Sequence, residues 1–210
     1  MISTDQIKKL REMTGVSVMQ CRKALEDAKG DMDKALILLR KKGAEVAAKK
    51  GDRKLGAGAI QAYVHATGTV GAMVELLCET DFVSGNEGFK TLGYDIAMHI
   101  TATNPEFLKR EDIPKEAREK AKEVFEKEAK GPSTGSTKLT SSKLGAGKSA
   151  AMKEKIVEGK LNAYFKDKIL LEQDFIKNPE LTINALVEQA IQKFGEKIEI
   201  SRFVRFAVTK

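Results

Sequence analysis

The sequence predicts an α+β protein in which a small three-helix domain precedes an antiparallel-sheet core with packed helices and a projecting helical hairpin. Three observations carry this. Short helical periods, each bounded by a cap residue and a glycine, fill the first 43 residues. Period-two alternation runs from residue 60 to 78 and returns near the end of the sequence. Between them lie two long charged segments with helical spacing. The expected division is residues 1–43 as the three-helix domain, 44–54 as a linker, and 55–210 as the core, with the hairpin at about 111–165.

Taken in order, Ser3 and Gln6 form a capping box ahead of Ile7, Leu10 and Met13, and Thr14-Gly15 stops that helix. Ser17 and Gln20 repeat the box ahead of Val18, Cys21, Leu25 and Ala28. Gly30 closes this second helix, Asp31 caps a third with Met32, Ala35, Leu36 and Leu39, and Gly43 is expected to end it. A bundle of this size lies near the lower limit for independent folding. Residues 44–54, basic and alanine-rich before Gly51-Asp52, read as a short helical linker with a break.

Ile60, Ala62, Val64 and Ala66 alternate with Gln61, Tyr63, His65 and Thr67; after Thr67-Gly68-Thr69 the series Val70, Ala72, Val74, Leu76, Cys78 alternates again. This is a β-hairpin. Phe89, Leu92, Ile96, Ile100 and Thr103 then mark one face of a helix that covers it, ended by Asn104-Pro105. Residues 111–130 read as a charged helix with Pro114 in its first turn, and 131–148, rich in Gly, Ser and Thr, as a mobile loop. A second long helix through Ile156, Leu161 and Phe165 pairs with the first as an antiparallel hairpin. A connector (170–181), a helix from Thr182 to Phe194 stopped by Gly195, and a final strand complete the core. In that strand Ile198, Ile200, Val204, Phe206 and Val208 share one parity with Arg202. Either Arg202 lies at an edge or a bulge shifts the register.

The chain carries a net charge of +7, from 37 Lys and Arg against 30 Asp and Glu, interspersed rather than clustered. Such a balance permits a polyanionic partner, but most of it reads as a solvated helical surface. No run reaches the ~20 apolar residues of a membrane span, and the first residues lack the apolar stretch of a signal peptide, so a cytoplasmic protein is expected. Cys21 and Cys78, far apart in apolar surroundings, read as reduced core residues.

The enzymatic templates do not fit. Gly145-Ala146-Gly147-Lys148-Ser149 resembles a phosphate loop, but Ser142 stands where the first glycine belongs, and no strand leads into it. Gln61 stands where a dinucleotide fingerprint beginning at Gly56 needs its third glycine. His65 and His99 have no metal-ligand spacing and no nucleophile beside them. The expectation is no catalytic residue, no metal and no cofactor.

One corner stands out: Thr80-Asp81-Phe82-Val83, where the apolar strand ends. Phe82 is either the next core residue or, if Thr80 or Asp81 caps the following helix, an aromatic turned outward. The polar Thr80, which interrupts the apolar series ahead of Phe82, and the neighbouring Asp81 favour the second. An exposed aromatic on a rigid corner suits insertion into a partner's pocket.

The residues that extend this reading are LREMTGVSVMQCRKALEDAKGDMDKALILLRKKG, AYVHATGTVGAMVELLCETDFV, IAMHITATNPEF, KIVEGKL, LLEQDFI and RFVRFAV. In this order they resemble the elongation factor Ts family. The resemblance implies a ubiquitin-associated-like N-terminal domain on an α+β core, and guanine-nucleotide exchange on elongation factor Tu. It implies that the corner disturbs the magnesium site of that GTPase, with Phe82 wedging between its helices and Asp81 helping to reposition them. It further implies docking by Val18, Met19 and Arg22 with Arg11 nearby, and lesser roles for His65 and for the Phe194-Gly195 turn.

The chain also departs from the family pattern. Ser84-Gly85-Asn86 stand where Ala-Arg-Asn is usual, and Val16-Ser17-Val18 replaces Ala-Gly-Met. It holds one copy of a core that longer members carry twice, so a homodimer binding two GTPases is expected, in GDP-bound and nucleotide-free states, with no membrane and no direct nucleic-acid contact. The alternative is a basic ribosome- or tRNA-associated protein without exchange activity.

Overall fold

A computed structural model describes residues 2–130 and 150–208. The stretch 131–148 and the phosphate-loop-like segment that ends at Ser149 lie outside the described residues. In chain order the elements are α1 (Thr4–Thr14), α2 (Val18–Asp27), α3 (Met32–Lys49), β1 (Ala57–Val64), β2 (Val70–Cys78), α4 (Asp81–Ser84), α5 (Glu87–Thr103), α6 (Lys115–Lys130), α7 (Ala150–Lys166), β3 (Asp174–Phe175), β4 (Asn178–Thr182), α8 (Ile183–Phe194) and β5 (Ile198–Ala207). The fold is α+β. Two compact units form, Met1–Asn104 with Leu171–Lys210, and Pro105–Leu170.

In the first unit, α1 opens on the Ser3–Gln6 capping box, with both halves formed, and closes on Gly15. Ser17 caps α2 by accepting from the Gln20 N–H, but the reciprocal half expected there is replaced. The Gln20 side chain instead accepts from Gln192 Nε2 at 2.7 Å. Leu10, Cys21, Leu25, Ala35 and Leu39 close the small helical core together with Val16, which the helical spacing alone misses because it lies in the turn between α1 and α2. Gly43 does not end α3; the helix continues to Lys49. A Cβ at Gly43 would stand 3.2 Å from Gln192 Oε1, so the glycine serves close approach to α8 rather than termination.

β1, β2 and β5 form an antiparallel sheet in the order β1-β2-β5. Ala72, Val74, Leu76 and Cys78 point inward as their alternation predicts, and Phe89, Leu92, Ile96 and Ile100 of α5 cover them. Asn86, rather than Thr80 or Asp81, caps α5 by accepting from the Gly88 N–H at 2.8 Å. β1 turns Gln61 and Tyr63 toward α5, where Tyr63 meets Tyr94 edge-on, and leaves Ile60 and Val64 exposed on the other face. The reason is close packing of α5 at Gly93, whose missing Cβ leaves room for the Gln61 side chain. The Arg202 alternative resolves as a bulge. Glu75 pairs with Arg202 while Leu76 pairs with Ile200, so Ser201 is the extra residue and the facing of β5 reverses there. The segment read as a connector contains the β3–β4 hairpin instead.

In the second unit α6 and α7 pack together as the sequence pattern predicts. Leu161, Phe165 and Ile169 form its buried centre, with Phe107, Ile113, Ala121 and Phe125 against them. Pro114 precedes α6, and its carbonyl accepts from the Arg118 N–H. Among the described residues, no helix is long and apolar enough to cross a membrane.

Candidate functional site

The corner after β2 is built from both directions along the chain. Its four-residue helix, α4, has little hydrogen bonding of its own: the Thr80 carbonyl accepts from Ser84 at 3.2 Å and the Asp81 carbonyl from Gly85 at 2.9 Å. What orients it is one buried side chain and one exposed clasp. Val83 is only 4% exposed and plugs α4 into the core, so this member of the expected site is an anchor rather than a contact surface. Phe82, its neighbour, is 84% exposed, the opposite of a core residue continuing the strand. Asp81 is exposed beside it.

Thr80 occupies the N-cap position, yet its hydroxyl does not cap. Its Oγ1 donates to Glu196 Oε1 at 2.6 Å, and its N–H donates to Glu196 Oε2 at 3.0 Å. One residue earlier, Glu79 accepts the Lys197 N–H at 2.6 Å and the Arg53 guanidinium at 3.1 Å. The Lys197 N–H and then Arg53 hold the Glu79 carboxyl below the usual range. Cys78, just inside, is a free, buried thiol, and burial with the nearby Glu196 charge pushes it up. Cys21 is likewise free and buried, as expected.

The structure brings some of the expected residues together. Gly195 closes α8 at a φ of 75°, a left-handed position natural to glycine, and delivers Glu196 directly to Thr80. Phe194 packs edge-on against Phe89 in the first turn of α5, with ring centres 6.3 Å apart. The last turn of α8 also meets the N-terminal helices through Gln192 and Gln20, and Lys193 lies against Gly15. There Met19 is 71% exposed and Val18 46%, so Val18 lies outside the core stripe that its helical spacing predicts; Arg11 and Arg22 are exposed, with Arg22 paired to Glu26 at 2.8 Å. His65 is not part of this cluster. It sits at the hairpin turn, at the opposite end of β2, roughly 25 Å away at the rise of an extended strand. Its Nδ1 is 3.0 Å from Thr67 Oγ1. Glu196, Glu79 and Arg53 are the residues that sequence reasoning missed. The one signal for them is the pairing of β2 with the last strand, which sets residues 79 and 80 beside 196 and 197.

Among the described residues there is no group of three or more His, Cys, Asp or Glu that could hold a metal ion. Fold and corner thus define a class: an α+β protein that presents an aromatic tip on a fixed corner beside a short helical face. The family model described as elongation factor TS matches residues 38–210. The chain is 46% identical over 206 residues to elongation factor Ts of Carboxydothermus hydrogenoformans, covering 98% of this chain and 88% of that one. It is 45% identical over 208 residues to that of Thermosipho melanesiensis, covering 99% of both, and 44% identical over 207 residues to that of Herpetosiphon aurantiacus, covering 99% of this chain and 98% of the relative. The chain belongs to the elongation factor Ts family.

Proposed function

We propose that this chain promotes GDP release from elongation factor Tu in the cytoplasm by presenting the Thr80–Val83 corner to the magnesium and phosphate site of that GTPase. Membership of the family assigns it the broader role of nucleotide exchange on elongation factor Tu in translation. The observation that carries the finer reading is Phe82, exposed on a corner that Val83 anchors from beneath. A large apolar side chain on a fixed mount loses little conformational freedom when it enters a pocket.

Bound GDP is held by backbone donors around its phosphates and by Mg²⁺, so moving the groups that hold that ion removes a major charge clamp. Phe82 is the wedge in this reading, and Asp81 helps to shift the partner's helices. Coupling is reciprocal: a factor that prefers the nucleotide-free GTPase weakens GDP by the same factor. No bond is made or broken, so no catalytic group, metal or cofactor of this chain is required.

Met19, Val18, Arg22 and Arg11 are proposed to dock on the same partner, and Phe194-Gly195 to support the corner; His65 makes a separate contact at the other end of the sheet. Lysines and arginines interleaved with acids favour this protein partner over direct nucleic-acid binding. A homodimer is proposed as the working form. The outer face of the sheet supports it: Ile60, Val64, Met73, Val204 and Phe206 are exposed there around the Glu75–Arg202 ion pair. Two copies stacked across a two-fold axis bury that face against itself.

The test is stopped-flow release of fluorescent GDP from elongation factor Tu with the wild-type chain and with Phe82→Ala. Acceleration by the first and its loss in the second supports the wedge. Acceleration unchanged in Phe82→Ala rejects it, and salt-sensitive RNA binding without any effect on GDP release would favour the ribosome- or tRNA-associated alternative.

A further inference from the structure

The ladder between β2 and β5 ends at Cys78 and Ile198, and the pairing beyond it is carried by side chains. Glu79 takes the N–H of Lys197, while Glu196 takes the N–H of Thr80. Each segment offers a carboxylate to the residue that follows the other segment's acid. This reciprocal clasp extends the sheet by one pair in carboxylate form, and the second half of it is doubled by the Thr80 hydroxyl at 2.6 Å. Hydrogen bonds to an ionised acceptor are shorter and stronger than neutral ones.

Glu196 is itself held in place. Gly195 before it closes α8 and accepts Lys50 Nζ on its carbonyl, and Lys197 after it donates Nζ to the Gly51 carbonyl at 2.7 Å. The carboxylate therefore arrives at Thr80 from a turn that is fixed on both sides. We propose that Glu196 is a positioning residue for nucleotide exchange: by holding Thr80 it sets the entry angle of α4 and so the direction in which Phe82 leaves the surface. α4 is only one turn long, and its direction follows from how it is attached: Thr80 on Glu196, the Thr80 carbonyl on the Cys78 thiol at 3.1 Å, and Val83 in the core. The inference rests on Phe82 being the group that acts on the GTPase.

The experiment uses the full chain and fluorescent GDP release from elongation factor Tu at saturating factor, alongside hydrogen–deuterium exchange of the amides from Thr80 to Gly85 in the free protein. Glu196→Gln keeps the shape of the side chain but removes the negative charge that strengthens both Thr80 contacts, and Thr80→Val removes the hydroxyl donor. Each is expected to lower the acceleration at least about threefold, in line with the loss of a charge-assisted hydrogen bond. Thr80→Ser, which keeps the donor, restores it. Amide exchange at the corner speeds up in Glu196→Gln and stays at the wild-type rate in Phe82→Ala. Combined with Phe82→Ala, Glu196→Gln causes no further loss, because nothing remains to be aimed.

If Phe82→Ala slows release while Glu196→Gln does not, the wedge stands and the positioning role falls. A double variant slowed by the product of the two single losses also overturns it, since Glu196 then acts on the partner by itself. Full acceleration in Phe82→Ala rejects the wedge, and the positioning role with it.

Discussion

His99 Nε2 lies 2.9 Å from Gln173 Oε1 in the buried space between α5 and the β3 region. On the other side of the ring, Nδ1 accepts the Ile176 N–H at 3.4 Å, so Nε2 carries the proton and donates to Gln173. Thr103 donates to the same Gln173 oxygen. Among the described residues these partners are neutral, and at Nδ1 the ring meets a donor, the Ile176 N–H. A second proton there would oppose the Ile176 donor.

Burial accordingly pushes the His99 imidazole below its ordinary value of 6.5, although the Gln173 bond opposes this. A base whose folded pKa is depressed takes up its proton first in the unfolded chain as pH falls. Its contribution is therefore complete above the unfolded value and is lost as pH drops through about 6.5 toward the folded value. Urea unfolding at pH 7.5 and 5.5 is expected to show the lower midpoint at 5.5. His99→Gln should flatten that difference, and an unchanged slope would separate it from His99.

Glycine substitutions should give opposite signs at two positions. A Cβ at Gly58 would lie 2.6 Å from the Leu76 carbonyl oxygen and 2.8 Å from Leu77 Cδ2, where β2 cannot yield without breaking its pairing with β1. Gly58→Ala is expected to cost about 1–3 kcal/mol, as overpacking does. Gly159 lies exposed in α7, and among the described residues nothing stands within 4 Å of its added Cβ. Gly159→Ala should stabilise the helix by up to about 1 kcal/mol. Denaturant midpoints for the two variants check both signs.

These glycines also mark where sequence reasoning works and where it stops. The β2 alternation, the α5 stripe and the Ser3 and Asp31 caps are local, because each depends on residues within a few positions of one another. The facing of β1 is not local. Ile60, Ala62 and Val64 look like the inward set, and only the approach of α5 at Gly93 places Gln61 and Tyr63 there instead. Gly43 misleads for the same reason, since a glycine that ends a helix and one that admits a neighbouring helix are the same letter. At the corner, strict parity would carry the inward series of Ala72 to Cys78 on to Phe82; the polar Thr80 and Asp81 mark where the strand gives way to α4 and Phe82 turns out, but the carboxylate that holds Thr80 is that of Glu196, 116 residues away.

The outer sheet face makes a prediction about assembly. Met73 stands on the central strand, flanked by Ala62 of β1 and Val204 of β5, and all three side chains are exposed. If this face stacks on a second copy, Met73→Asp places one carboxylate from each copy in an apolar interface. The dimer should then dissociate with little change in monomer stability, because the inner face of β2 is untouched. Light scattering is expected to report twice the 23.1 kDa chain mass for the wild type and the chain mass for the variant. A wild-type chain that remains at the monomer mass at micromolar concentration removes the dimer.

Phe82 and Val83 are adjacent, and their truncations should separate function from stability. Phe82 is 84% exposed, so Phe82→Ala removes little buried surface and should change stability by no more than about 0.5 kcal/mol, the range of ordinary surface substitutions. Its effect should fall on GDP release from elongation factor Tu. Val83 is 4% exposed and fills the core beneath α4, so Val83→Ala should lower stability by about 1–2 kcal/mol through lost burial and the space left behind. It keeps the aromatic but loosens its mount, so acceleration should fall partway while Phe82→Ala loses it. The comparison is a direct test of the corner as a wedge on an anchor. Urea midpoints and fluorescent GDP release, measured on the same preparations, give the two readouts. A Phe82→Ala chain that unfolds early would mean that the ring supports the fold, and its loss of exchange would then no longer identify a wedge.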